Sequence, residues 1–154
     1  MKKLYPAIVA VLIIIIAAGA YKFIIKGSVI ESTDSRITIE LESGERHFIL
    51  GEMRGLLSKI QQLIAALATD DMDTFIQVAK VLKDESRGEI QQSLIGQMPI
   101  GFKKMSYKIH SDFTQLYDDA LAKQDTAYSL QQVSELMQNC VACHATYSLQ
   151  VAAE

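Results

Sequence analysis

The chain opens with a long apolar stretch, and most of the remaining sequence is amphipathic with helical spacing. Residues 4–25 are almost wholly apolar, and Lys2 and Lys3 precede them. A helix of this length crosses a hydrocarbon core of about 30 Å. Ala18-Gly19-Ala20 also satisfies the small-x-small pattern of signal-peptide cleavage, yet apolar residues continue beyond it to Ile25. We therefore favour an uncleaved anchor over a cleaved signal, with the N-terminus inside and the remaining chain outside.

A short segment rich in turn formers separates this stretch from the rest of the chain. Within residues 28–42, Ile37, Ile39 and Leu41 alternate with polar residues, which is the pattern of a short strand. Because no partner strand is evident, we expect an isolated extended segment packed on the domain. The predicted organisation is an anchor or signal at residues 1–27, a spacer at 28–42 that holds the domain off the membrane, and one domain at 43–154.

Four longer segments of the domain carry apolar residues at three- and four-residue spacing, the period of an amphipathic helix. Short links between them favour antiparallel packing, so the predicted fold is all-α: an antiparallel four-helix bundle preceded by a transmembrane or signal helix. Residues 89–98 are irregular and predict at most a short further turn. The four helices are predicted from Ser43, as N-cap, to about Thr69; from residues 70–73 to 84–88; from Pro99 through Ala120; and from Asp125 or Thr126 into residues 140–147.

Size and charge limit the classes of function. The roughly 130 residues beyond the apolar stretch suffice for one domain with a single core. The net charge of −3 and a pI near 5.6 argue against nucleic-acid binding, which favours a basic surface. The partners we expect are therefore the membrane and other proteins.

Cys140-Val141-Ala142-Cys143-His144 forms C-x-x-C-H, the attachment signature of a c-type haem. Two thiols at this spacing can add to both vinyl groups of one haem, and the adjacent imidazole then lies beneath the iron as axial ligand. The alternatives are a redox dithiol, a disulfide or half a zinc site. These are the chain's only cysteines, which excludes a four-cysteine zinc site, and the βαβ pattern that accompanies thioredoxin-like motifs is absent. We therefore expect one covalently attached haem c with its iron.

A c-type haem agrees with the apolar N-terminus, because covalent attachment in bacteria is completed on the outer side of the cytoplasmic membrane. We expect the domain at the periplasmic face of the inner membrane, or soluble in the periplasm if the segment is cleaved. The two predictions rest on different parts of the chain and agree with each other.

Met53 is the residue we expect on the other side of the iron. It lies on the inward stripe of the first domain helix between Gly51 and Gly55. Each glycine costs a helix about 1 kcal/mol relative to alanine, which suggests that a bulky group such as a haem plane approaches there. A methionine that only fills the core gives the same pattern. His110 is the rival ligand, and an empty sixth position is the third alternative.

The position of the motif on the last helix, the Pro99-x-x-Phe102 opening and the Cys-x-x-Cys-His-x-x-Tyr ending resemble the cytochrome c′ family and its low-spin relatives. The resemblance covers residues 43–149. It implies a four-helix bundle in which His144 is the proximal ligand. It also implies that a residue of the first helix faces the distal side, and Met53 is the residue this sequence offers.

The resemblance is incomplete after the motif. The family commonly continues His-x-x-aromatic-Arg, whereas here Tyr147 is followed by Ser148. The role of that arginine therefore does not transfer to this chain. Tyr147 is expected to pack against the proximal face of the haem, and an ordinary aromatic at the end of a bundle gives the same pattern. The resemblance also allows a homodimer.

Together these inferences predict a single-haem, membrane-tethered electron carrier that exchanges electrons with redox partner proteins at the membrane. Its iron would cycle between Fe(II) and Fe(III) with His144 and Met53 as ligands. We expect no enzymatic activity, because the sequence offers no distal catalytic constellation. The alternative is a five-coordinate protein that binds NO or CO in the manner of cytochrome c′, with Met53 in the core.

Overall fold

Helices make up most of the chain, as the apolar spacing predicts. The computed structural model describes residues 4–31, 34–86 and 92–152. Lys2, Lys3 and the residues from 87 to 91, which include part of the predicted end of the second helix, lie outside the described residues. The described helices are α1 (Leu4–Ala20), α2 (Ser43–Ala68), α3 (Met72–Glu85), α4 (Gln92–Gln97), α5 (Ile100–Lys123) and α6 (Thr126–Thr146), and the strands are β1 (Val29–Glu31), β2 (Ile37–Leu41) and β3 (Tyr147–Val151).

The N-terminal helix is apolar on all sides. A π-helical turn, Tyr21–Lys26, continues α1. Together they contain the 21-residue stretch Pro6–Lys26, whose most apolar 18-residue window has a mean hydropathy of 2.7 and no buried residue. This helix is long and apolar enough to be a membrane anchor or a signal sequence. The prediction that the chain begins with an anchor or signal helix is confirmed.

Local sequence signals set the helix ends. The Asp71 carboxylate accepts a hydrogen bond from the Thr74 amide at 2.9 Å and opens α3. Asp125 opens α6 in the same way, and each cap satisfies an amide that has no partner within its helix. The N-cap of α2 is Glu42 rather than the predicted Ser43, because Glu45 reaches back to accept from the Glu42 amide at 3.1 Å.

The four long helices, α2, α3, α5 and α6, share the larger apolar core. The links at residues 69–71 and 124–125 are short, so α3 folds back along α2 and α6 along α5. Asn139 donates to Asp112 across α5 and α6 at 2.7 Å, and α6 also contacts α2. Each fully buried valine, leucine, isoleucine or phenylalanine side chain of this core contributes about 1.5–3 kcal/mol to the stability of the fold. The core consists of Ile60, Leu63, Ala66, Leu67, Phe75, Ala79, Leu82, Phe113, Leu116, Ala120, Val133 and Leu136.

A second apolar cluster lies where the start of α2, the start of α5 and the end of α6 meet a small sheet. The strand order is β1-β2-β3, with β1 antiparallel and β3 parallel to β2. Ile39 of β2 lies opposite Val29 on one side and Leu149 on the other. The buried members of the cluster are Ile39, Leu41, Ile49, Leu94, Met98 and Phe102.

The expectation of an isolated strand is wrong, because Ile37–Leu41 is the central strand of this sheet. The helical stripe was also expected to continue through Tyr147, whereas Tyr147 begins β3. The β2 backbone offers hydrogen bonds to the chain that leaves α6, and Thr38 and Ser148 add a side-chain bond at 2.7 Å. The fold is therefore mostly helical rather than all-α, and the predicted spacer supplies two of the three strands.

Candidate functional site

The cysteines and histidine of the motif lie at the C-terminal end of α6, on a helix as predicted. Neither Cys140 nor Cys143 is in a disulfide, and both are half-buried. Cys140 packs against the larger core, and Cys143 packs against the second cluster. His144 is exposed in the last turn. The two thiols therefore lie at the junction between the two apolar clusters.

One cavity brings together four of the five residues predicted for the site. It has a volume of about 220 Å³ and opens to solvent beside the end of α6. Met53 of α2 also lines it, although it is distant in sequence from the motif. Cys140 does not line it. The predicted residues on its wall are Met53, Cys143, His144 and Tyr147.

Tyr147 is held in place by the first turn of α5. Its ring meets Phe102 edge-on, with centroids 5.4 Å apart and planes at 80°. Its hydroxyl lies against Gly101, where a Cβ would overlap it. Burial, and then the nearby Cys143, raises the pKa of Tyr147, so the phenol stays neutral. Tyr147 thus forms a fixed, uncharged part of the cavity wall.

Met53 is half-buried and packs with the second cluster. A Cβ at the neighbouring Gly51 would approach only the Arg54 guanidinium, at 3.8 Å, and one at Gly55 only Lys59 Nζ, at 3.7 Å. Both contacts are flexible side-chain ends of α2 itself. Within the part of the chain that the structure describes, no other element explains the two glycines. They share a face of α2 that is turned away from Met53, because residues two positions apart on a helix do not face each other.

The electrostatics of the thiols differ from those of a redox dithiol. Burial raises the pKa of the Cys140 thiol. Burial, and then the charge of Cys140, raises that of Cys143. Cys143 also lies in the last turn of α6, where the partial negative charge of the helix C-terminus disfavours a thiolate, whereas reactive dithiols sit at helix N-termini. The two thiols therefore lack the lowered pKa that thiol–disulfide exchange favours.

His110, the rival ligand, does not line the cavity. It lies on α5 with its ring edge-on to Phe113, at 6.5 Å between centroids. Its buried Nδ1 has no hydrogen-bond partner among the described residues, and burial lowers its pKa. The imidazole at this position packs against Phe113 of the larger core and does not share the cavity with Met53 and His144.

Arg36 is the cavity residue that the sequence reasoning missed. It lines the same wall, and its guanidinium donates to the His144 carbonyl at 3.4 Å. Asp34 holds it through a bond of 2.8 Å from Arg36 Nε. No local feature of the sequence marked Arg36 as a site residue. Arg36 reaches the motif only because β2 pairs with β3, and that pairing was not predicted.

A larger apolar groove of about 470 Å³ lies along α2 and α6, and none of its lining residues lines the cavity. Val141 and Ala142, the two residues between the cysteines, line it together with Met137 of α6 and Ile64 of α2. Val141 is 67% exposed. The groove is therefore a separate apolar surface, on a different side of α6 from Cys143.

Among the described residues, no group of three or more His, Cys, Asp or Glu side chains lies together as a metal site. An iron held by a macrocycle, one imidazole and one thioether needs no such group. Comparison of the chain with known protein families, curated proteins and solved structures finds no match. The function of the chain is therefore inferred from its own residues and their geometry.

Proposed function

We propose that this chain is a membrane-tethered, single-haem c-type cytochrome that carries electrons. Cys140 and Cys143 would attach the haem, and His144 and Met53 would ligate its iron. The observation that carries the proposal is the meeting of Met53 with Cys143 and His144 on one cavity wall. In this proposal α2, α3, α5 and α6 act as an antiparallel four-helix bundle that holds the haem between α2 and α6.

The residues around the motif suit a mostly apolar group, because Leu50, Met53, Phe102 and Leu149 line the cavity. The cavity itself is smaller than the roughly 300–1,000 Å³ of ordinary ligand sites. A haem attached to the motif would therefore exceed this cavity and remain partly exposed to solvent.

Each residue has a distinct task in this proposal. When bound, a haem supplies a one-electron Fe(II)/Fe(III) couple. The thioether of Met53 favours the reduced state and raises the potential relative to a second histidine. Tyr147, fixed by Phe102 and Gly101, would keep this part of the cavity wall rigid beside the exposed His144. Six-coordination would close the iron to external ligands.

The N-terminal helix gives the carrier its location. We propose that α1 remains uncleaved and tethers the domain at the periplasmic face of the inner membrane. A tether confines the carrier near redox proteins of the same membrane and raises their effective concentration. No substrate needs to enter the site for this function.

The ferric optical spectrum tests the ligand assignment. We expect a low-spin spectrum with a methionine-to-iron charge-transfer band. Met53→Ala should convert it to high spin, while the matched control Met105→Ala, in a half-buried methionine of α5 away from the cavity, should leave it unchanged. A high-spin, five-coordinate spectrum in the unmodified protein would instead support the gas-binding alternative and reject Met53 as a ligand.

A further inference from the structure

The segment that joins the membrane helix to the domain is packed against the domain. The Ser28 amide donates to the Gln97 carbonyl at 2.6 Å. Gly27 is buried at φ +67°, and a Cβ there would overlap Gln97 O and lie 2.7 Å from the carbonyl carbon of Met98. Only glycine fits this backbone and this contact. Residues 27 and 28 are therefore fixed on the turn between α4 and α5.

The end of the π-helical turn is held by a side chain of the domain. Lys103 Nζ donates to the Phe23 carbonyl at 2.9 Å and to the Ile24 carbonyl at 3.3 Å. Carbonyls at a helix C-terminus lack partners within the helix and attract a cation. The Phe23 ring also lies 3.4 Å from the position of a Cβ on Gly96. The domain thus contacts the last turn of the membrane helix through both the backbone and a side chain of that turn.

No unpaired linker separates residue 28 from the sheet. The Ser28 carbonyl accepts from the Glu40 amide at 2.8 Å, and β1 starts at the next residue. Val29 then pairs with Ile39 of the central strand. We call residues 21–28 the stem. The stem runs directly from the membrane helix into the folded domain.

The candidate haem site lies at the stem end of the domain. Phe102 lines the cavity, and its neighbour Lys103 binds the stem. Gly101, in the same turn of α5, touches Tyr147. At 1.5 Å per residue the 24-residue α5 is about 36 Å long, so its far end at Lys123 is distant from both. One helical turn therefore links the stem to the site.

We propose that the stem holds the haem site at a fixed, short distance above the bilayer, and that its electron partner is a redox protein embedded in the same membrane. This inference rests on the proposed function. A site fixed at the membrane-facing end reaches partners that share the membrane better than partners in solution.

Hydrogen exchange on the full chain in lipid nanodiscs tests the stem without requiring a haem. The Ser28 amide should exchange slowly. Gly27→Ala forces a side chain into the left-handed region and should speed this exchange about tenfold or more, whereas Gly19→Ala, whose Cβ meets nothing within 4 Å, should not. Lys103→Met should act in the same direction as Gly27→Ala. Lys104→Met removes the same charge from the adjacent exposed position and is its control. Fast exchange at Ser28 in the unmodified chain would contradict the packing of the stem against the domain.

Electron transfer tests the partner. We would measure haem reduction by the respiratory chain in native membranes and by ascorbate in detergent. Loosening the stem with Lys103→Met or Gly27→Ala should slow the first rate severalfold and leave the second unchanged, which also reports an intact haem domain. Altered exchange at Ser28 with an unchanged rate in membranes would overturn the membrane-embedded partner. Absence of an attached haem would overturn the proposed function and the partner, while the exchange result would still decide the stem.

Discussion

The contact between Gly101 and Tyr147 makes a quantitative prediction about the wall of the site. Gly101 is the second residue of α5, and a Cβ there would overlap the Tyr147 hydroxyl. The next nearest atom of the ring, Cζ, would be 3.7 Å away, which is ordinary contact. Gly101→Ala should therefore push the tyrosine out of its position, and removal of the hydroxyl alone should relieve the conflict.

The size of the effect can be worked out from the contacts that would be lost. Displacing the ring weakens its edge contact with Phe102, worth about 0.5–1.5 kcal/mol, and overpacking of this kind costs about 1–3 kcal/mol. Alanine offsets up to about 1 kcal/mol of this cost, because it is a better helix former than glycine. We expect Gly101→Ala to lower the free energy of unfolding by about 1–2 kcal/mol. In the Tyr147→Phe background the same change should be neutral or stabilising.

Urea unfolding of the full chain in detergent, followed by circular dichroism, gives the coupling energy from a double-mutant cycle. Gly44→Ala is the matched control, because Gly44 is the second residue of α2 and its Cβ would meet nothing within 4 Å. That variant should be neutral or stabilising in both backgrounds. If Gly101→Ala had the same cost with tyrosine and with phenylalanine at position 147, the described placement of Tyr147 would be refuted.

Two further predictions concern the thiols and the sheet. In the chain without haem, burial raises the pKa of Cys140 and Cys143, so the folded state binds their protons more tightly and should lose stability as the pH rises above about 8.5. The urea midpoint should fall between pH 7 and pH 10, and it should fall further in this chain than in the Cys140→Ser/Cys143→Ser variant. Equal falls in the two proteins would contradict the raised pKa of the thiols. Thr38→Val removes the buried bond to Ser148 and should cost about 1–2 kcal/mol, measured by the same unfolding assay. A Ser148→Ala background should reduce that cost, and an undiminished cost there would argue against the bond.

The helices of the domain were predictable because their signals are local. Apolar spacing located α2, α3, α5 and α6, and short polar caps such as Asp71 and Asp125 marked where two of them begin. The positions of Cys143 and His144 on α6 were predicted from the same spacing. The inward position of Met53 on α2 was also readable from the sequence, and the structure places it on the cavity wall with them.

The sheet and the stem were not predictable because their contacts are long-range. β1 has three residues, and β3 follows a helix whose stripe continues through Tyr147, so neither carried a periodic signal of its own. Both strands pair with β2, and β3 lies more than a hundred residues from it in the sequence. Local propensity carries no information on such contacts. Arg36 was missed for the same reason. Gly27 carried a signal, but a glycine in a turn-rich segment indicates a bend rather than a docked joint.

The most direct test of haem attachment is the intact mass of the chain after export in a bacterial host that makes c-type cytochromes. We predict a mass increased by one haem that survives denaturation and extraction with acidified solvent. The increase should be absent from the Cys140→Ser/Cys143→Ser variant, and it should persist in Met53→Ala, which changes only the iron's ligand. An unmodified mass, with both thiols available for alkylation or joined as a disulfide, would contradict the central claim.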